Sequence, residues 1–245
     1  MLATLDSVSQ AVRAAVTIRY PVEPRLREWE LPGGTVPESA VHDAATERLV
    51  LLLKAWVAEL KEEAQVARNL AVRWLEKAPQ VGIDPDVCVL CPPPPERGLV
   101  ESLRLWVPGH FAPPLCFEIV SRSHPYKDYA EVHERYAAMG TRELVVFDPL
   151  LAGPKSLGGP VSLQVWRRDA LGTLDRVYFG AGPAHSEVLN AWLVPEGNLL
   201  AIAGEHSGER RWQTIEERER AQKECERAVR MDLERRVAEL ERQRR

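Results

Sequence analysis

Three acidic residues stand where a core element would ordinarily carry something else. Glu38 follows Pro37, Asp86 opens the apolar run Val87–Leu90, and Glu118 lies inside Leu115-Cys-Phe-Glu-Ile-Val120. A carboxylate inside a buried strand is costly unless it is paired or bound to a cation. Two readings therefore explain Glu118. It pairs with an arginine or faces water at a strand end, or it joins Asp86 in holding a hard divalent cation. Mg2+ suits the second reading, because it takes oxygen ligands and is commonly held by one or two carboxylates plus waters.

Other clusters have weaker claims to chemistry. Cys88-Val-Leu-Cys91 has the spacing of a redox or zinc pair, but it lies on a strand that runs into prolines. A redox pair of that kind opens a helix, and zinc would need two further ligands, for which His110 and Cys116 are the available residues. Buried free thiols are the simpler reading. Ser121-Arg-Ser123-His124 lacks the glycine pattern of a nucleophile elbow and reads as a loop whose Ser and Arg side chains suit a phosphate. His133 has a side chain suited to proton transfer, but it is one residue out of register and reads more simply as a surface histidine, whereas His42, His185 and His206 share no metal-ligand spacing. Trp56 and Trp166 read as core, leaving Trp29, Trp106 and Trp212 as the tryptophans placed to touch a ligand.

The elements that must position these residues can be read in order. Thr35-Val-Pro-Glu38 has the spacing of a capping box, and Val41, Ala44, Ala45, Leu49, Leu52, Leu53, Trp56 and Leu60 keep one apolar face, which predicts a helix to about Glu63. Short strands follow at Val66–Leu70, Ala71–Leu75 and Val87–Leu90. The run Pro92–Pro95 cannot extend a sheet and opens a loop reaching about Pro114. Leu115–Val120 reads as a buried strand, Asp128–Met139 as a helix that Gly140 ends, and Glu143–Phe147 as another strand. Ser162–Trp166 and Leu174–Phe179 form a predicted hairpin, with Leu199–Ala203 a last strand. From Glu205 onward the chain holds 12 basic and 11 acidic residues, and no Gly or Pro occurs after Thr214. That composition predicts a solvated helix with a thin apolar stripe at Cys225, Val229, Leu233, Val237 and Leu240, suited either to standing alone or to a coiled-coil partner. The chain thus divides into a domain over residues 1–204 and a charged helical tail over 205–245.

Four cysteines in 245 residues are too sparse for a disulfide-stapled secreted domain. No apolar run approaches the ~18 to 20 residues of a membrane span, and the N-terminus lacks a basic-then-apolar signal, so the expectation is a cytoplasmic chain without a membrane partner. The net charge of −4 makes the whole-molecule field repel phosphate, so nucleic-acid binding requires a local basic groove or a metal bridge.

The ordered succession Val36-Pro-Glu38-Ser39, Asn69-Leu70, Pro85-Asp86, Phe117-Glu118-Ile-Val-Ser121-Arg-Ser123, Asp128, Tyr136, Gly140 and Glu143-Leu-Val-Val-Phe-Asp148-Pro149 resembles the Uma-type restriction endonucleases of the PD-(D/E)XK nuclease superfamily. The resemblance covers roughly residues 20 to 204. It implies an α/β fold, a restriction-endonuclease-like mixed β-sheet flanked by helices, followed here by the charged C-terminal helical extension. It also implies Mg2+- or Mn2+-dependent hydrolysis of DNA phosphodiester bonds, with Asp86, Glu118 and the backbone carbonyl of Ile119 as metal ligands and Glu38 assisting. The lysine of such sites would fall at position 120 or 132, and both are valine. The activating lysine is then absent or displaced to Lys127. The alternative is a degenerate nuclease fold that binds nucleic acid or protein without cutting, its tail mediating a homodimer or docking a partner.

Overall fold

The computed structural model describes residues 39–60, 63–96, 100–122, 125–130 and 132–244. Glu38, Trp29 and the Thr35–Glu38 box lie outside them. Helix α1 spans Ala40–Glu59, with extended Ser39 as its N-cap accepting a hydrogen bond from the His42 N–H. Ser39, four residues beyond Thr35, is the capping residue of the described helix, and the helix ends at Glu59 instead of Glu63. Ala45, Leu49, Leu52 and Leu53 recur at the helical period and bury one face.

Strands β1 (Gln65–Arg68) and β2 (Ala71–Arg73) flank Asn69, whose left-handed φ of 50° turns the chain. They are followed by β3 (Gly82–Ile83), β4 (Val87–Leu90), β5 (Ser102–Arg104) and β6 (Leu115–Ile119). Strand β5 lies inside the stretch predicted as loop, and it forms because its backbone pairs in parallel with β2. The predicted Asp128–Met139 helix starts earlier, as α2 (Pro125–Ala130), and continues as α3 (Val132–Met139). Gly140, at φ 109°, ends α3 by donating its N–H to the Tyr136 carbonyl. Then come β7 (Glu143–Phe147), β8 (Leu163–Arg168), β9 (Leu174–Gly180), β10 (Ala184–Ser186), β11 (Ala191–Glu196) and β12 (Leu199–Ala203).

Six strands form the main sheet in the order β1-β4-β6-β7-β8-β9. It is mixed: β6 and β7 are parallel, joined through α2 and α3, while every other neighbouring pair is antiparallel. Both faces of its central strands are buried, which is why they read as continuous apolar runs. Val87, Val89, Leu115, Phe117, Ile119, Val145 and Phe147 meet α1 and the antiparallel sheet β10-β11-β12. Cys88, Leu90, Cys116, Val120, Leu144 and Val146 face the opposite layer, built from α2, α3 and the small sheet β3-β2-β5. The strand period of two places Glu118 in this second layer.

The first compact unit runs to Trp212, past the change of composition near residue 205, because Trp212 donates its N–H to Ile202 and stacks on Trp56 at 5.9 Å. The second, Gln213–Arg245, is helix α4 (Ile215–Gln243) behind a Thr214–Glu217 capping box. No α4 residue is buried, and ion pairs such as Arg220–Glu224 and Lys223–Glu219 run along it. Among the described residues no helix is long and apolar enough to cross a membrane.

Candidate active site

The site forms where β6 delivers the chain into α2, at the carboxyl end of a parallel strand, a usual place for ligands in α/β sheets. Glu118 is the next-to-last residue of β6 and is 1% exposed. Tyr136, fully buried on α3, donates its hydroxyl to Glu118 Oε1 at 2.6 Å. Lys127, on α2, brings its Nζ to 3.8 Å from Glu118 Oε2 while keeping half of its side chain in solvent. Asp86 enters from the start of β4. Its Oδ2 accepts the Ile119 N–H at 2.6 Å and lies 3.2 Å from His42 Nε2 on the first turn of α1.

Electrostatics follow from the burial. Desolvation first, and then the Asp86 charge, hold the Glu118 carboxyl well above the usual carboxylate range despite the opposing pull of Lys127. Glu118 in turn raises the Lys127 ammonium above its ordinary value. The Tyr136 hydroxyl is likewise driven up, by burial and by Glu118. A third acid, Asp128, is 5% exposed, and burial pushes its carboxyl up to about 7, with Asp86 adding to the rise and Lys127 and His42 opposing it.

Of the residues expected from sequence, Asp86, Glu118, Ile119 and Lys127 meet here, and Glu38 lies outside the described residues. Ile119 meets Asp86 through its N–H. Lys127, half of whose side chain is in solvent, directs its Nζ toward Glu118. Val120 and Val132, where a lysine was sought, are 1% and 2% exposed and pack in the core layer behind the site. Three contributors were not placed in the site by sequence reasoning: His42, Asp128 and Tyr136. Asp128 and Tyr136 belong to the resembling succession, which was their available signal. His42 meets a partner 44 positions away, and local spacing carries no trace of that contact.

The weaker clusters fall elsewhere. His133 stacks on Trp166 with ring centroids 4.5 Å apart and nearly parallel planes, a packing role in place of proton transfer. Trp212 packs on Trp56. Cys88 and Cys116 are buried free thiols on paired strands, with burial raising Cys88 to about 12, while Cys91 is exposed. His110 bonds Glu96. No group of three or more His, Cys, Asp or Glu side chains suited to a metal ion occurs among the described residues.

No curated protein matches this chain. It is similar to a crystal structure described as that of a "putative nuclease belonging to DUF820" from Anabaena variabilis ATCC 29413, at 15% identity and a TM-score of 0.43, covering 69% of this chain and 80% of that one. A family model, Uma2, described as "Putative restriction endonuclease", matches residues 17–169 and so takes in α1, every strand of the site and both helices that close it. The chain belongs to the Uma2 family.

Proposed function

We propose that this chain is a Mg2+- or Mn2+-dependent endonuclease that hydrolyses phosphodiester bonds in DNA. The observation that carries the reading is Glu118, a glutamate sealed in a core strand, sharing its site with a second carboxylate and a lysine. Two neighbouring carboxylates at one strand end form an all-oxygen donor set that suits a hard ion. Asp86 and Glu118 would hold it, with waters filling the remaining positions. The group supplies Lewis-acid stabilisation for charge that develops on the phosphate oxygens.

The remaining work falls to this chain's own side chains. The Ile119 N–H and His42 hold Asp86 Oδ2 against β6, which fixes the direction of the second carboxylate oxygen. Tyr136 holds Glu118 Oε1 and leaves Oε2 facing Lys127. The half-exposed Lys127 ammonium draws an anionic phosphate toward the site, which an acidic chain needs. Charged groups fixed in advance of the reaction need no reorganisation during it.

Calorimetric titration of Mg2+ and Mn2+, run beside a nicking assay on supercoiled plasmid, tests this reading. The parent should bind and nick, and Asp86→Asn should lose both while keeping its thermal transition. Binding without nicking by the parent would make the chain a nuclease-fold binding module, and an Asp86→Asn variant that nicks like the parent would place the site elsewhere.

A further inference from the structure

Two buried aspartates, Asp128 on α2 and Asp148 bonded to that helix through Tyr129, differ in one respect. Asp148, after β7, is saturated: its oxygens accept the Tyr129 hydroxyl at 3.0 Å and the N–H groups of Ala152 and Gly153 at 2.9 and 2.8 Å. Asp128 is about as deeply buried, yet its Oδ1 has no hydrogen-bond partner among the described residues. A carboxylate oxygen left unsatisfied in a protein interior is costly, and such an atom calls for a partner that arrives with the ligand.

The groups that act on Asp128 come from each element around it: Lys127 beside it on α2, Asp86 before β4, His42 on α1 and Asp148 after β7, while Asp128 itself acts on Glu118. Asp128 adjoins Lys127, whose Nζ lies 3.8 Å from Glu118 Oε2, and so borders the proposed cleavage site, although it joins Asp86 and Glu118 in no three-residue metal cluster among the described residues. That combination suits an acceptor for a water placed between these acids better than a further metal ligand. On the reading that this site cleaves DNA, we propose that Asp128 is its general base, its Oδ1 taking a proton from the attacking water.

The step balances without another reactant. One O–H bond of water breaks and its proton passes to Asp128 Oδ1 as the water oxygen bonds to phosphorus. The bond from phosphorus to the departing sugar oxygen breaks with its electron pair, and that oxygen takes a proton from solvent. Asp128 then returns its proton to bulk water. Correct placement of such a base contributes roughly 10²- to 10⁴-fold in rate.

The test compares the full chain with Asp128→Asn, a near-isosteric change, in single-turnover plasmid cleavage from pH 6 to 9 with Mn2+, and in Mn2+ calorimetry. In the parent, cleavage should rise with pH as the Asp128 carboxyl loses its proton and then level. In Asp128→Asn it should fall by roughly 10² or more and lose that rise, with Mn2+ affinity changed less than about threefold. A variant that keeps the parent's rate and pH profile, or one that loses Mn2+ binding as Asp86→Asn does, overturns the assignment. A parent that binds Mn2+ and never cuts overturns the nuclease reading and this role with it. An active parent with an indifferent Asp128→Asn overturns this role alone.

Discussion

Neighbouring strands of one sheet each bury a glutamate, and the two are treated in opposite ways. Glu143, at the start of β7, is 1% exposed and fully engaged: it accepts from the Ser186 hydroxyl, from the Glu187 N–H at 2.9 Å and from Arg167 Nε at 3.1 Å. Arg167 extends the pairing to Glu187 and the His185 carbonyl. Glu118, at the far end of β6, is just as buried, but among the described residues it has one hydrogen bond, one lysine at 3.8 Å and two acids nearby. Burial alone therefore does not mark a functional carboxylate. What marks it is burial without compensation, at a strand end where further acids converge.

The comparison is broken most sharply by neutralising each glutamate. Glu118→Gln should lower plasmid cleavage by at least about a hundredfold, since it removes a group proposed to hold the cation. Its melting temperature should hold or rise, because the substitution also removes a buried charge that lacks full compensation. A variant that melts several degrees lower and cleaves normally would make Glu118 the structural residue.

The second effect separates the two ends by pH. Asp128 is raised to about 7 and Glu118 is raised as well, so the folded protein binds protons that the unfolded chain has released. Below pH ~4 both states are protonated and the groups are neutral to stability. As pH rises from there to about 7, the folded state loses relative stability, by up to roughly 4 kcal/mol for a group shifted like Asp128. Urea titrations in EDTA should show that decline. Asp128→Asn should flatten its share, and saturating Mn2+ should reverse it. A flat profile in EDTA would mean that the acids are compensated as Glu143 is.

Third, Glu143→Ala should cost about 3 kcal/mol in urea unfolding, because it strands Ser186, a backbone N–H and the partly buried Arg167. Mn2+ affinity should stay within about threefold of the parent, checked by the same calorimetry. Loss of cation binding with the fold intact would join the two ends of the sheet into one site.

Much of the sheet was legible because strands covered on both faces leave uninterrupted apolar runs, as at Val87–Leu90, Leu115–Ile119 and Glu143–Phe147. Glu118 stood out against such a run for the same reason. The β8–β9 hairpin showed through its alternation. Strands β10 and β11 did not, since His185 and Pro195 break their pattern and their pairing with one another is what defines them. Strand β5 is three residues long and exists through a partner 31 positions away. In the site, the residues on strands were readable and those supplied by tertiary approach were not. His42 reaches Asp86, and Lys127 chooses Glu118 over solvent, through chain folding that no local spacing encodes.

Helix α2 has six residues, far fewer than a helix needs to persist in water by itself. It carries Lys127 and Asp128, and what pins it is Tyr129, whose hydroxyl bonds Asp148 and both the N–H and the carbonyl of Val161. The loop from Leu151 to Pro160 closes over that ring so tightly that a methyl group at Gly153 would meet it at 2.2 Å. Backbone amides of residues 126–130 should then exchange with solvent deuterium at the pace at which this loop lifts. The clock for order among the site's charged groups runs in a segment that contributes none of them.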